Sequence, residues 1–427
     1  MIKIFSLLLI LGQIIMAANI QNIKVNGIDV PVIYEKDTRL PIVSMKFVFT
    51  DSGSISDASL AGVAKFSARI LGEGSKKLGS SAFAEALEAK AINISAAAGN
   101  ETFNIELDCL KENFGEGLKY FDSLLRDPNL TSKAMQKVKT TTIGALSSKA
   151  DDFDYVASNE LKALLFKGTV LANPTSGTID SVKKIELKNI KDFILKHIVS
   201  SRLIVVVGGD IDIEDIKKRV SKIIEAMPKG KSSSVKNYTP SDKMQESVLK
   251  EDTQQAYIYF GSPYKMKAGS KEYYKARVAT FILGAGGFGS RLMEEIRVKR
   301  GLAYSAYARV NVSKSSSYFS GYLQTKIESQ DEAVKTVKEV ISKFIKDGVT
   351  QEELDQTKKF LLGSEPLRVE TMSQKLNRTF MEYYKGQELG YAKRELELIK
   401  DLNLKELNEF IKSHKEILKL SFAIVTK

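Results

Sequence analysis

The sequence predicts an α+β protein made of two homologous α/β-roll domains, and three observations carry that prediction. "LKNIKDFILKH" at 187–197 matches "LKELNEFIKSH" at 404–414, an offset of 217 from Leu187 to Leu404. "LTSKAMQKVKTTTIG" from Leu130 matches "VTQEELDQTKKFLLG" from Val349 at an offset of 219, with Gly144 over Gly363. Self-similarity at so long a spacing signals a duplicated architectural unit. Each half also closes on an apolar strand, "RLIVVVGGD" in the first and "LSFAIVTK" in the second. Between the halves, "MPKGKSSSVKNYTPSDK" carries no apolar period and reads as a linker. The expected division is a leader at 1–18, an N-terminal domain at 19–228, a linker at 229–243 and a C-terminal domain at 244–427. At 427 residues and 43% hydrophobic content, the chain is long and apolar enough for two cores.

The elements follow in chain order. "MIKIFSLLLILGQIIMAA" puts Lys3 ahead of an apolar run and finishes on small Ala17 and Ala18, the layout of a secretory signal. The run from Ile4 to Met16 is shorter than the roughly 20 residues that span a bilayer, so a periplasmic or otherwise exported protein is expected, without a stable membrane anchor after cleavage. "LAGVAKFSARILGEG", from Leu60, reads as a small-residue helix ending in a glycine turn. Lys65, Ala68 and Arg69 share one face of it at i, i+3 and i+4. That spacing holds zinc when the residues are His, Glu and His.

Cys109 is the only cysteine, so no intramolecular disulfide can form, and its alternating apolar setting marks a buried small hydrophobe. An amphipathic helix follows through Phe114, Leu118, Phe121, Leu124 and Leu125. Its second-half counterpart carries Val334, Val337, Ile341, Phe344 and Ile345 and stops at Gly348. The only two histidines, His197 and His414, fall at equivalent places late in the matched helices, in different domains. They read as packing or helix C-terminal residues, not as metal ligands.

"GAGGFG", Gly284 to Gly289, has the G-x-G-x-x-G spacing, but the acidic residue required about 20 positions later is absent, Arg309 and Asn311 standing there instead. It reads as a tight turn or a close backbone approach. The Ser181 and Lys184 pair is expected by chance in so Lys-rich a chain. After the glycines, Ser290 can cap a helix with Glu294 and Glu295 early in it, Gly301 ends it, and an alternating strand follows. Arg297 sits in the last turn and Tyr304 at the start of the strand. The intervening turn can bring guanidinium and phenol to one edge as donors to a carbonyl oxygen. The net charge of +12 comes mostly from Lys spread along the chain. Without clustered Arg and aromatic residues it excludes a nucleic-acid groove and fits a solvated surface that favours acidic partners.

"GSISDASLAGVAKFSARILGEGS" and "GAGGFGSRLMEEIRVKRGLAY" resemble the two signature regions of the pitrilysin/insulinase-type metallopeptidases, in the branch of mitochondrial processing peptidase and its two-domain bacterial relatives. "VVVGGDI" and "GSEPLRVETMSQKLNR" extend the resemblance over the whole mature chain. It implies two homologous α/β rolls facing each other across a peptide cleft. It also implies an inverted zinc motif, H-x-x-E-H, falling on Lys65, Ala68 and Arg69. A further zinc glutamate would fall around Gly144 to Leu146, yet no Asp or Glu stands between Asp127 and Asp151. Catalytic zinc needs three protein ligands, commonly His or carboxylate, so the resemblance implies no metal in this chain. The family's substrate-contacting Arg/Tyr pair falls on Arg297 and Tyr304 with its spacing kept, and its substrate-facing edge strand on "INISAAAGNETFNIEL", with Ala96, Ala97, Ala98, Gly99 and Asn100 beside the peptide.

The pattern therefore resembles the noncatalytic, substrate-binding subunit of a heterodimeric zinc peptidase. Such a chain supplies Arg297 and Tyr304 to a homologous partner that carries H-x-x-E-H and the zinc, for hydrolysis of a peptide or unfolded protein. The alternative is a nonproteolytic peptide-holding or assembly protein of the same fold.

Overall fold

The computed structural model describes residues 19–427, and the secretory-signal reading of 1–18 lies outside them. The N-terminal half forms one six-stranded sheet from β1 (Asn19–Val25), β2 (Ile28–Lys36), β3 (Ile42–Thr50), β4 (Asn93–Ala98), β5 (Thr102–Leu110) and β6 (Leu203–Gly209), in the order β1-β2-β6-β3-β5-β4. The C-terminal half forms a five-stranded sheet from β7 (Glu246–Lys250), β8 (Gln255–Pro263), β9 (Ala303–Val312), β10 (Ser317–Lys326) and β11 (Ser421–Thr426), in the order β7-β11-β8-β10-β9. Apart from the added β1, the topologies coincide. β2 and β7 each run parallel to the closing strand of their half, β6 and β11, and every other pairing is antiparallel. By this correspondence the edge strands β4 and β9 are equivalent.

Period-two alternation decides which side chains enter which core. On β3, Val43, Met45, Phe47 and Phe49 face the helices of their own half, where Phe47 meets Phe121 edge-on at 4.9 Å. On β5, Phe103, Ile105, Leu107 and Cys109 do the same. In the C-terminal half Ile258, Phe260, Phe319, Leu323, Phe422 and Ile424 form the matching layer beneath helix Gln330–Asp347. That helix and its counterpart Phe114–Arg126 stand where the amphipathic pattern puts them, and Gly348 ends the former at φ +74°.

The opposite face of each sheet is covered by a helix from the other half. Ile33, Val48, Ile204 and Val206 of the first sheet receive Met372, Leu376, Phe380 and Tyr384 of helix Met372–Lys385. Ala423 and Tyr259 of the second receive Leu161 and Leu165 of helix Phe153–Leu165. Phe153 and Met372, the first residues of these helices, are again 219 apart. The exchange covers the second face of the central strands of each sheet and ties the halves together.

Polar contacts reinforce it. Asp154 accepts from Tyr259 Oη at 3.1 Å and from the Gln324 amide. Glu101, at the β4–β5 turn, accepts from the Ser315 N–H at 2.5 Å and from Tyr384 Oη at 2.9 Å, a buried carboxylate joining three segments. The connecting stretch 226–245 has no regular structure but is pinned on both sides. Lys231 O accepts from Arg202 at 3.1 Å, Tyr238 N–H donates to Ser315 O at 2.7 Å, and Ser241 N–H donates to Leu165 O at 2.7 Å. Among the described residues, no helix is long and apolar enough to cross a membrane.

Candidate functional site

Arg297 and Tyr304 come together as their spacing predicts, through two irregularities that the spacing does not reveal. The helix from Arg291 turns π-helical over Glu294–Val298, so the turn that carries Arg297 holds an extra residue. Gly301, at φ +64°, then donates to Arg297 O at 3.0 Å, Leu302 donates to Ile296 O at 2.8 Å, and the chain reverses into β9. On β9 the register slips. Leu323 pairs with Ala306 but Thr325 with Ala303, leaving Tyr304 and Ser305 as a bulge opposite Gln324. The bulge lets Ala303 and Ala306 both enter the core while Tyr304 turns out, 80% exposed.

The Arg297 guanidinium carbon lies 4.1 Å from the Tyr304 ring centroid and 4.6 Å from that of Phe288. Among the described residues no carboxylate pairs with Arg297 and no side-chain hydrogen bond occupies it, so two rings hold the cation while its N–H groups stay free. Phe288, itself 72% exposed, was not legible as a site residue. Its only sequence signal is its place between Gly287 and Gly289, both in the left-handed region at φ +62° and +91°. Ser290 takes the N-cap position as expected, but its Oγ is buried without a hydrogen-bond partner, so the expected side-chain cap is not made. Arg291, next along, is held bidentate by Glu353 at 2.6 and 2.8 Å.

Helix Val63–Leu71 presents Lys65 and Arg69 half-buried and Ala68 at 2% exposure. Arg69 donates to Thr142 Oγ1 at 2.7 Å, across to helix Ser132–Ser148, where the resemblance would put a glutamate. Burial, then Arg69 and Lys149, hold the Lys65 ammonium below its ordinary value. An ammonium, a methyl group, a guanidinium and a hydroxyl do not make a zinc donor set. Among the described residues, no three His, Cys, Asp or Glu come together elsewhere. Asp57 closes the start of this helix by accepting from Gly62 N–H at 2.7 Å and Ala64 N–H at 2.9 Å, and burial pushes its carboxyl up to about 7.

The same helix packs against β4, whose outer edge carries no strand among the described residues. Gly99 N–H donates to Thr102 O at 2.9 Å, which marks that pair as hydrogen-bonded. Antiparallel alternation then points the backbone groups of Ile94, Ala96 and Ala98 outward at the free edge, while Ala97 faces β5. Gly99 and Asn100 form the hairpin turn and are tied to the 51–56 loop: Ser54 and Ile55 N–H donate to their carbonyls at 2.9 and 3.0 Å, and Thr175 Oγ1 donates to Asn100 Oδ1 at 3.0 Å.

The remaining candidates are structural. His197 stacks on Phe193 at 4.5 Å and accepts at Nδ1 from Arg202 at 2.9 Å, so its proton sits on Nε2. Burial, with Arg202 and Lys196, lowers its pKa to about 4. His414 packs on Phe410 at the same 4.5 Å and stacks on Tyr264, the repeat of the same arrangement. Burial pushes the Cys109 thiol up to about 11. The glycine-rich loop follows a helix and not a strand, and a Cβ on Gly284 would stand 2.7 Å from Ala308 N, so close packing explains it. An interdomain cavity of about 1260 Å³ opens beneath the connecting stretch, lined by Tyr264, Met266 and Tyr383, and contains neither Arg297 nor Lys65.

Residues 32–179 match the model of the insulinase family, peptidase family M16, and residues 184–361 that of the peptidase M16 inactive domain. The chain is 44% identical over 426 residues to the non-peptidase homolog YmxG of Helicobacter pylori, covering 99% of this chain and 98% of that one. It is 25% identical over 248 residues to an uncharacterized zinc protease YmxG of Bacillus subtilis, 57% of this chain and 59% of that one. The crystal structure of a peptidase M16 inactive domain from Pseudomonas fluorescens superimposes with a TM-score of 0.88 at 22% identity, covering 96% of this chain and 98% of that chain. A protease from Helicobacter pylori does so at 0.81 and 16%, covering 96% and 100%, a likeness of fold.

Proposed function

Because this chain belongs to the insulinase family of peptidases, family M16, and carries cations where that family's zinc motif would fall, we propose that it is the noncatalytic, substrate-binding subunit of an exported two-chain zinc peptidase. The observation that supports this reading is the contrast between its two halves. Among the described residues the N-terminal half has no donor set for a metal, whereas the C-terminal half keeps Arg297 clamped between Phe288 and Tyr304 with no acidic partner. In this reading the H-x-x-E-H residues of a homologous partner would hold the zinc, which would supply Lewis-acid polarisation of the scissile carbonyl and an activated water. This chain's residues bind and orient. The free edge of β4 pairs with the extended peptide, and Arg297 and the Tyr304 hydroxyl donate to the carbonyl oxygen as negative charge develops on it.

The test is reconstitution with candidate H-x-x-E-H partners. Peptide cleavage is expected from the mixture and not from either chain alone, with a fall of about 10²–10³ in turnover when Arg297→Ala replaces the native chain, the effect of losing one oxyanion donor. A mixture that runs at full rate with Arg297→Ala removes the proposed role. A stable complex that never cleaves supports a peptide-holding or assembly protein instead.

A further inference from the structure

The cations of helix Val63–Leu71 have a use of their own. Lys65 and Arg69 lie one turn apart on one face, both half-buried, on a helix packed against the open edge strand β4. Half-buried cations ordinarily come with a carboxylate, and the nearby acids are already engaged. Glu73 takes Lys137 at 2.8 Å and the Ser80 hydroxyl at 2.6 Å, and Asp57 takes the backbone of Gly62 and Ala64. Helix Ser132–Ser148 offers Arg69 only the Thr142 hydroxyl, and Lys149 just beyond its end adds a third positive charge. Among the described residues neither Lys65 nor Arg69 has an acidic partner.

The arrangement costs the fold both desolvation and like-charge repulsion. A bound anion relieves both, and charge-assisted bonds to a guanidinium favour a planar carboxylate. The backbone groups of Ala96 and Ala98 on the adjoining strand point outward, ready to pair with a chain laid along its edge. We propose that Lys65 and Arg69 form a carboxylate-binding site for an acidic peptide extended along β4, so that the site selects substrates by charge instead of holding a metal. This rests on the reading of the chain as a peptide-binding subunit and names the substrate class.

The experiment measures binding to the isolated full chain by fluorescence anisotropy, without a partner, at low and at high salt. The probes are extended β-forming peptides with a central Asp or its isostere Asn, each with a free or amidated C-terminus. The Asp peptide is expected to bind about tenfold more tightly than the Asn peptide, with the preference reduced at high salt and lost in Lys65→Gln/Arg69→Gln. If the free C-terminus carries the preference in place of Asp, the carboxylate is the terminal one, and the site stands. Equal affinity for all four peptides overturns the inference, as does binding of none. Because the four-peptide comparison uses the unaltered protein, it stands even where the double variant fails to fold. Arg297-dependent cleavage in the reconstituted pair would survive such a failure, so the two readings fall separately.

Discussion

Arg297 is positioned by rings and not by acids, and this decides what its loss should do. Its guanidinium makes no bond that the fold depends on, so Arg297→Ala should leave the melting temperature unchanged while lowering turnover in the reconstituted pair. Arg297→Lys should restore little, because an ammonium lacks the planar fork that stacks between Phe288 and Tyr304. His197 is the opposite case, buried at 5% exposure and structural. Its folded pKa of about 4 lies below the ordinary 6.5, so the unfolded chain takes up a proton between those values. The stability it contributes is complete above about 6.5 and is lost as the pH falls toward 4, roughly 3 kcal/mol in all. Asp57, raised to about 7 from 3.8, slopes the other way over much of the same range, so the measurement is the difference between native protein and His197→Gln in thermal melts from pH 4 to 7. The variant should lose the native protein's extra acid sensitivity, and parallel curves would refute the assignment.

At the scale of elements, the edge of β4 and the exchanged helices make separate predictions. Ala96 turns its N–H outward, so Ala96→Pro should block addition of a peptide strand while sparing the β4–β5 ladder; Ala97→Pro, whose N–H faces β5, should destabilise the hairpin itself. Peptide binding and thermal melts on both variants distinguish the two effects. Leu161 and Phe380 each anchor an exchanged helix in the other half's sheet, and Leu161→Ala or Phe380→Ala should cost about 2–5 kcal/mol in denaturant unfolding. Since each helix seals the opposite sheet, the two halves should still unfold in one transition. The sequence made the helices themselves readable, because their apolar stripes and the glycine at 348 are local signals. It did not reveal the exchange, since an amphipathic stripe says that a helix is covered and not by what. The π turn at Glu294–Val298 and the bulge at Tyr304 were equally silent. Each arises from fitting Ile296, Ala303 and Ala306 into one core, a condition set by neighbours distant in sequence.

For the whole molecule, the duplication was legible because offsets of 217 and 219 survive in the helices that close each half. The added strand β1 and the pinning of the connecting stretch were not, because Ser, Lys and Pro give no pattern from which hydrogen bonds to Ser315 and Leu165 could be read. The candidate site divides the same way. That Lys65, Ala68 and Arg69 make no zinc donor set is readable from their side chains once the resemblance places the motif on them, whereas Phe288 and Thr142 acquire meaning only through what they touch. An active site shared between two chains places the metal in one and the oxygen-binding donors in the other. Zinc content and peptide turnover of this chain alone, of its partner alone and of their complex test that most directly. One zinc per complex is expected, all of it carried by the partner, with turnover in the complex only. Stoichiometric zinc in this chain by itself, with turnover that a chelator abolishes, would contradict it.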